Sequence, residues 1–183
     1  MIIVEGPDGA GKTTLIKSLL ERWPFLELAP RVVSKDAEAM VDLPAWIADS
    51  LEHWGEKPML FDRHRLISET IYGPILRGSA EQGFDDPIQM LLWMGDFYRC
   101  QPIIIYCLPP LQVVRENIWD DPDNVVVQGK IDAIYQAYCA RAAIDEEATQ
   151  ARVFIYDYTK DGREDDPLAT FNGVMRHIER KFA

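Results

Sequence analysis

The stretch that decides the fold is "EGPDGAGKTTLIKSLL", residues 5–20, which follows the apolar residues "MIIV". Residues 6–13 match the pattern G-x-x-x-x-G-K-[ST] at every fixed position. The context agrees with the motif, because a short apolar strand precedes it and a helix with leucines on one side follows from Lys12. The stretch therefore predicts a phosphate-binding P-loop between the first strand and the first helix.

Each residue type of this loop has a physical role in holding a nucleoside triphosphate. Glycines let the backbone take left-handed angles and bring several N–H donors close to the phosphate oxygens. The helix that follows adds free N–H groups and the positive end of its dipole. Lys12 supplies a charge between the β- and γ-phosphates, and Thr13 offers a hydroxyl to Mg²⁺. We therefore predict ATP and Mg²⁺ as cofactors, held by Gly6, Asp8, Gly9, Ala10, Gly11, Lys12, Thr13 and Thr14.

Composition and charge limit what else the protein can be. The chain has 183 residues, of which 48% are hydrophobic and 27% charged, and this is typical of one globular domain. Its net charge of −11 disfavours nucleic acid as a partner, although a local basic groove could overcome this. We expect no membrane span and no secretory signal, because no apolar run reaches roughly 20 residues. The three cysteines show no metal or disulfide spacing, so we expect a cytoplasmic protein.

Short apolar runs alternate with helical stretches along the chain. Runs that are apolar on both faces are typical of parallel strands covered by helices. We predict strands at 1–4, 31–33, 58–61, 102–107 and 152–156, and helices at 12–23, 43–54, 87–98, 125–148 and 167–182. The alternation predicts an α/β fold with a parallel sheet, in one domain over residues 1–183. The helix at 87–98 is apolar enough to be buried in the core or to form a homodimer interface. The polar loop 119–124 is either a lid over the site or a surface turn.

Motifs of other P-loop proteins are missing from the sequence. A regulatory GTPase needs D-x-x-G after a strand, whereas the D-x-x-G found here lies inside the P-loop, at residues 8–11. It also needs the base-reading pattern N-K-x-D, and "TKDG" (159–162) has the wrong spacing. A regulatory GTPase is therefore disfavoured.

A second group of functional residues follows the third predicted strand, which ends in "MLFDRHR". The carboxyl ends of parallel strands face the ligand crevice, so Asp62 and Arg63 are expected near the P-loop. Asp62 could bind the water shell of Mg²⁺ or accept a proton from a hydroxyl acceptor. Arg63 could clamp a phosphate with two guanidinium nitrogens. Arg65, Tyr72 and Arg77 follow in "RLISETIYGPILRG" and complete the predicted acceptor site.

The two motifs together resemble the thymidylate kinase family and its P-loop relatives, the deoxynucleoside kinases. Residues 5–14 match the family pattern E-G-x-x-G-x-G-K-[ST]-[ST]. Asp62 and Arg63 match D-R-[aromatic], with His64 at the aromatic position, and "YGP" and "LRG" lie where the family carries a Y-Q-G-like segment. The string "DRH…SE…YGP…LRG" is also similar to small kinases of bacterial viruses, for which the location would be the host cytoplasm.

The resemblance implies the arrangement of the fold and of its two substrates. It implies a five-stranded parallel sheet of order 2-3-1-4-5, flanked by helices in three layers, with ATP on the P-loop. It implies an acceptor between residues 62–72 and the helix 43–54, with Asp8 placed to contact the acceptor sugar or Mg²⁺. By position alone, the adenine pocket is expected around residues 157–160.

The resemblance also implies an arginine that faces the transferring phosphoryl group. The family supplies it from the P-loop or from a lid after the fourth strand. Position 9 is glycine here, so the loop lacks it. We predict Arg115, at the start of the lid candidate 116–130, as that cation, with Arg141 as a weaker candidate.

The sequence therefore predicts a nucleotide kinase with Lys12, Asp62, Arg63 and Arg115 as catalytic residues, and with Thr13 and Asp62 as metal ligands. The favoured acceptor is a deoxynucleoside monophosphate, either thymidylate or a modified pyrimidine relative. The alternative is a hydroxyl acceptor, which could be a deoxynucleoside or a hydroxymethylated pyrimidine in DNA, with Asp62 as the base. Nucleotide binding without turnover is disfavoured by the intact Lys12 and Thr13.

Overall fold

A computed structural model of the protein describes residues 1–30, 43–52, 58–79, 84, 86–119, 125–149, 152–160, 176 and 180. The strands are β1 (Ile2–Glu5), β2 (Glu27–Leu28), β3 (Met59–Asp62), β4 (Ile103–Cys107) and β5 (Val153–Tyr156). The helices are α1 (Lys12–Arg22), α2 (Leu43–Glu52), α3 (Arg65–Tyr72), α4 (Pro87–Arg99), α5 (Leu111–Trp119), α6 (Val125–Gln128) and α7 (Ile131–Thr149). A π-helical turn at Gly73–Arg77 follows α3, and a 3₁₀ turn at Tyr158–Lys160 follows β5.

The strands form one parallel sheet of order β2-β3-β1-β4-β5, with β1 in the centre. The register aligns Val4 with Asp62 of β3, and Glu5 with Tyr106 of β4. The carboxyl ends of β1, β3 and β4 therefore meet at one edge of the sheet, where ligand crevices of such folds lie. The predicted parallel α/β fold and the predicted strand order are confirmed.

Helices cover both faces of the sheet, so the central strands β1 and β4 are buried on both sides. Neighbouring residues of β1 project to opposite faces. The fully buried Val4 belongs to a core cluster with Leu15 and Leu19 of α1. The fully buried Ile3 belongs to a second cluster with Phe97 of α4. Burying an aliphatic side chain of this size stabilises the fold by about 1.5–3 kcal/mol, which explains why β1 reads as a continuous apolar run.

Strand β2 differs from the sequence prediction. The strand was expected at residues 31–33, which lie outside the described residues, and the strand that pairs with β3 is Glu27–Leu28. Both of its side chains are exposed, so no apolar run marks it in the sequence. Backbone bonding defines the strand instead, including the N–H of Ala29, which donates to the carbonyl of Leu60 at 2.8 Å.

The helices also differ from the prediction at particular places. The expected helix at 125–148 is divided into α6 and α7 by Gly129 and Lys130. Helix α5 has no counterpart among the predicted helices, and its last four residues, 116–119, are the first four of the lid candidate. Residues 120–124 of that candidate, and most of the predicted helix 167–182, lie outside the described residues. Among the helices that the structure describes, none is long and apolar enough to cross a membrane.

Candidate active site

The P-loop connects the carboxyl end of β1 to the amino end of α1, at the centre of the sheet. Gly6, Gly9 and Gly11 have φ angles of 138°, 78° and 82°. A Cβ at Gly6 would lie 2.5 Å from the carbonyl oxygen of Cys107 in β4, so a larger residue would push the loop off the sheet. The first N–H groups of α1 lack intrahelical acceptors and are available to an anion in the loop. The backbone therefore fits the phosphate group that the sequence motif predicts.

Lys12 is the cation of this loop, and it is almost completely buried, with 7% of its surface exposed. Its Nζ donates a hydrogen bond of 2.7 Å to the carbonyl of Pro7, across the loop. Burial, and then the charge of Arg63, lower the pKa of Lys12 to about 8, although Asp8 opposes the shift. A phosphate in the loop would favour the charged form, so Lys12 is arranged to bind an anion rather than to face solvent.

Mg²⁺ fits this site only as a partner of nucleotide phosphates. Across the described ranges, no cluster of three or more His, Cys, Asp or Glu side chains could hold a metal ion. Mg²⁺ commonly keeps several waters and takes one or two protein ligands together with substrate phosphates. Thr13 is exposed in the first turn of α1, and Asp62 follows at the end of β3, so these two residues would hold the ion. When bound, it would neutralise charge on the transferring phosphoryl group.

Arg63 joins the P-loop to the segment after β3. Its Nη2 donates to Asp8 Oδ1 at 2.6 Å and to the hydroxyl of Tyr72 at 2.8 Å. The Tyr72 hydroxyl in turn donates to Asp8 Oδ2 at 2.9 Å, and the guanidinium lies 4.8 Å from the Tyr72 ring centroid. Burial alone would raise the pKa of Asp8, but Arg63 and Lys12 outweigh it and hold that pKa below its usual value. Asp8, Arg63 and Tyr72 thus form one charged, hydrogen-bonded group beside the phosphate loop.

A cavity of about 240 Å³ opens beside this group. Its lining residues come from the segment after β2, from α2, from β3 and the residue after it, from α3 and from the π-helical turn. They are Ala29, Pro30, Trp46, Phe61, Asp62, Arg63, Arg65, Ser68, Glu69, Tyr72, Leu76 and Arg77. Glu69, only 2% exposed, pairs with both Arg65 and Arg77. The structure therefore brings the sequence-predicted acceptor residues Arg63, Arg65, Tyr72 and Arg77 to one cavity, and Asp8 reaches it through Arg63.

His64 occupies the aromatic position of the D-R-[aromatic] motif but does not line the cavity. It is fully buried, with its ring centroid 5.4 Å from that of Trp46 and 5.2 Å from that of Phe97. Its Nδ1 accepts from the N–H of Leu66 at the start of α3, and its Nε2 lies 3.2 Å from Ser50 Oγ. Burial lowers the pKa of His64 to about 3, so the ring is neutral and packs like the aromatic residue it replaces.

Each of the two arginines predicted to face the phosphoryl group pairs with a carboxylate of α7 in this structure. Arg115 is on the exposed surface of α5 and donates to both carboxylate oxygens of Asp132 in α7, at 2.9 and 2.5 Å. Arg141 donates to the fully buried Asp145 at 2.8 Å. The same carboxylate also accepts from two tyrosine hydroxyls. Neither arginine lines the cavity or bonds to the P-loop in the described ranges. The role of Arg115 at the phosphoryl group stays a prediction, since Asp132 holds its guanidinium in this structure. Lys12 and Arg63 are cations that bond to the loop.

Asn117 and Tyr158 contact the outer side of the P-loop. Asn117 was not among the site residues predicted from the sequence. The Asn117 Nδ2 group donates to the carbonyl of Gly9 at 2.7 Å and to the Tyr158 hydroxyl at 2.8 Å. The Tyr158 ring packs on Gly11 so closely that a Cβ there would lie 2.9 Å from it. Tyr158 falls in the segment expected near adenine, whereas no signal in a single sequence marks Asn117.

We expect Asn117→Ala to raise the KM for ATP about 5- to 10-fold and to leave the acceptor KM nearly unchanged. The variant removes two hydrogen bonds to the loop region, each worth about 0.5–1.5 kcal/mol. Steady-state kinetics with each substrate varied in turn would measure the effect. Glu116→Ala is the control, since Glu116 is an exposed neighbour that contacts Gln112 on the same helix. An equal rise in both variants would show that the effect comes from α5 in general.

The chain is similar in sequence to a nucleotide kinase. No protein-family model matches it. A guanylate kinase of Paramagnetospirillum magneticum is 23% identical over 193 aligned residues, and the alignment covers 86% of this chain and 90% of the relative. The two proteins thus match along most of their lengths.

Solved structures with a similar fold cover nearly the whole chain. The YorR protein of Bacillus subtilis, in complex with phosphorylated GDP, has a TM-score of 0.64 at 16% identity, covering 98% of this chain and 97% of that one. A deoxyadenosine kinase of M. mycoides with bound dCTP has a TM-score of 0.56 at 15% identity, covering 98% and 100%. At these identities the likeness establishes the fold. With the guanylate kinase and the loop geometry, it supports the prediction of a P-loop nucleotide kinase.

Proposed function

We propose that this P-loop nucleotide kinase transfers the γ-phosphoryl group of ATP to a deoxynucleoside monophosphate. The favoured acceptor is thymidylate or a modified pyrimidine relative. The observation that carries the proposal is the position of Arg63, which bonds to Asp8 of the P-loop and also lines the acceptor cavity. A guanidinium there can bind the acceptor phosphate next to the donor triphosphate, which is where the two must meet.

The hydrogen bonding of Arg63 supports an anionic acceptor. In the described part of the chain, its buried Nε atom has no hydrogen-bond partner. A buried donor left in this state costs about 1–3 kcal/mol, and an oxygen of a bound phosphate would remove that cost. Arg65 and Arg77 add two further cations to the same cavity, where both pair with Glu69. A neutral acceptor carries no negative charge for these guanidinium groups to bind.

The size of the cavity favours a pyrimidine base over a purine base. Its volume of about 240 Å³ is below the roughly 300–1,000 Å³ of most small-molecule pockets. Trp46, which is half-buried and lines the cavity, offers an aromatic face on which a base can stack. A small cavity disfavours the purine acceptors named for the guanylate and deoxyadenosine kinases, so an acceptor panel must contain both kinds of base.

The chemistry that we propose needs positioning and charge neutralisation but no base. Phosphoryl transfer between oxygens depends mainly on alignment and on cations around the transferring group. Lys12 would hold the donor phosphates, Thr13 and Asp62 would hold Mg²⁺, and Arg63 would hold the acceptor phosphate. A phosphate acceptor is already an anion, so no side chain has to remove a proton from it.

Asp62 supports a second candidate, a kinase for a hydroxyl acceptor. Its carboxylate lies at the end of β3 and lines the cavity, where it could take the proton of a hydroxyl. The acceptor would then be a deoxynucleoside, or a hydroxymethylated pyrimidine in DNA. In this mechanism Asp62 acts as the base and Arg63 as a secondary cation.

An acceptor panel separates the two candidates. The protein is incubated with ATP and Mg²⁺ and with thymidylate, the other deoxynucleoside monophosphates, GMP, thymidine, deoxyadenosine or hydroxymethyluracil DNA. ADP release and transfer of labelled phosphate are measured for each. Labelled deoxynucleoside diphosphate from a pyrimidine monophosphate is the expected result. Transfer only to a nucleoside or to DNA would replace the proposal with the second candidate, and the absence of transfer to every acceptor would reject both.

A further inference from the structure

Glu5 is a fully buried acid directly below the P-loop, and neither the motif nor the proposed mechanism gives it a task. It is the last residue of β1 and has no solvent exposure. Its Oε1 accepts from the N–H of His64 at 2.6 Å, and its Oε2 accepts from the hydroxyl of Tyr138 in α7 at 3.1 Å. One carboxylate therefore connects three parts of the fold: the central strand, the segment after β3, and α7.

The bond to His64 controls the backbone at Arg63. Arg63 has a φ of 68°, in the left-handed region that a residue other than glycine seldom adopts. Its own N–H donates to the carbonyl of Val4 at 3.0 Å, and the next N–H, that of His64, donates to Glu5 Oε1. In an extended strand, two successive N–H groups point to opposite sides, whereas here both reach residues at the end of β1. The Glu5 carboxylate thus holds the chain in the conformation that Arg63 requires.

This conformation determines where the guanidinium of Arg63 lies. From this backbone, Nη2 reaches Asp8 and Tyr72, and it lies 3.4 Å from the carbonyl of Gly6. Release of the His64 N–H would let residue 63 relax toward ordinary φ values, and the guanidinium would move with it. Left-handed strain at a residue other than glycine persists only when surrounding contacts maintain it.

A carboxylate is a costly choice for a purely structural contact at this position. Burial raises the pKa of Glu5 to about 7, although the His64 N–H and the charges of Arg63 and Lys12 oppose the shift. An uncharged side chain would avoid this cost. The contact that matters for Arg63 is the oxygen that accepts from the His64 N–H, and a carboxylate and a glutamine amide can both supply it.

We infer that Glu5 is a positioning residue for the acceptor: it holds the His64 N–H and thereby fixes the guanidinium of Arg63 against the acceptor phosphate. The inference rests on the proposed function for the identity of the acceptor, but not for the effect of Glu5 on Arg63. Glu5 itself touches neither substrate in this account. Its effect should therefore pass entirely through Arg63 and should appear in acceptor use rather than in ATP use.

Two substitutions at Glu5 test whether this residue affects the use of the acceptor and not the use of ATP. Glu5→Ala removes the acceptor for the His64 N–H, and we expect kcat/KM for the monophosphate to fall about 10- to 100-fold. The KM for ATP should stay within about threefold, because the P-loop backbone is unchanged. Glu5→Gln keeps an oxygen for the His64 N–H, so it should recover most of the lost acceptor efficiency. Tyr138→Phe is the matched control, since it removes only the contact from α7. Equal losses in Glu5→Gln and Glu5→Ala, or parallel losses toward ATP, would overturn the inference.

A double-mutant cycle tests whether Glu5 acts through Arg63. Glu5→Ala is combined with Arg63→Ala, and the acceptor kcat/KM of the double variant is compared with that of Arg63→Ala alone. No further loss is expected, because the group that Glu5 positions is already gone. A further loss of 10-fold or more would show that Glu5 acts by another route.

An NMR measurement decides the inference even if the acceptor is different from the one proposed. The buried Nε–H of Arg63 can be followed with ¹⁵N-labelled arginine and assigned by its disappearance in Arg63→Lys. We expect its exchange with solvent to be at least about 10-fold faster in Glu5→Ala than in the natural protein, and to be restored in Glu5→Gln. Unchanged protection in a folded Glu5→Ala variant would reject the inference. Failure of the proposed function would appear separately, as no transfer to monophosphates by the natural protein.

Discussion

Replacing Lys12 with alanine is expected to reduce phosphoryl transfer by about a thousandfold while leaving the fold intact. The ammonium group is the buried cation of the P-loop, and a preorganised charge at the transferring group is worth about 10²–10³ or more in rate. The fold should tolerate the change. Burial lowers the pKa of Lys12 to about 8, which means that the folded protein disfavours its charge.

Lys17→Ala is the matched control for this prediction, because Lys17 is an exposed lysine on the same helix. ADP release with the best acceptor from the panel would give the rate, and thermal unfolding followed by circular dichroism would report on the fold. Near-normal turnover in a folded Lys12→Ala variant would remove the P-loop from the mechanism. Low turnover in both lysine variants would point to a general effect on α1.

Replacing Arg63 with alanine is expected to lower kcat/KM for a monophosphate acceptor by about 10²–10³-fold. The guanidinium both bonds to the P-loop and lines the acceptor cavity, so its loss removes both alignment and charge. It also leaves the Asp8 carboxylate beside the cavity without its cation, which would repel an anionic acceptor. Steady-state kinetics with the acceptor varied at saturating ATP would measure the loss.

Arg63→Gly separates the guanidinium from the backbone. Glycine adopts a φ of 68° without strain, so this variant keeps the loop conformation and lacks only the side chain. Both variants should lose acceptor efficiency to a similar extent. Arg99→Ala, which changes an arginine that is 79% exposed, should have no effect. If Arg63→Ala instead keeps its acceptor kinetics and Asp62→Asn loses them, the hydroxyl-acceptor mechanism is correct.

The parts of the site that were predicted from the sequence are those that depend on local chemistry. The P-loop is fixed by the spacing of glycine, lysine and threonine within a few residues, because the backbone must bend there around a phosphate. Asp62 and Arg63 were predicted near it because they follow an apolar strand, and such strands end at the ligand edge of a parallel sheet. The same strands, read as buried runs, indicated the parallel α/β fold that the structure confirms.

The parts that were missed depend on contacts between distant segments. Strand β2 has two exposed side chains and is defined by its hydrogen bonds to β3, which no local pattern encodes. Arg115 and Asn117 are two residues apart on α5, and only the packing of that helix decides which one reaches the loop. Arg115 turns to Asp132 in α7, whereas Asn117 reaches Gly9. Glu5 was read as part of the motif, and its bond to His64 spans 59 positions of sequence.

The order of the strands has a consequence for how the protein is made. The central strand β1 precedes both of its neighbours in the sequence, and its partners are residues 60–62 of β3 and residues 103–106 of β4. At about 5–20 residues per second of synthesis, β4 follows β1 after roughly 5–20 seconds, and until then the edge of β1 that pairs with β4 has no partner strand. Pairings of this separation also form slowly, because long loops must close first. A nascent chain released before β4 lacks the strand whose end packs against Gly6 of the P-loop, so nucleotide binding during synthesis would report on the completion of β4.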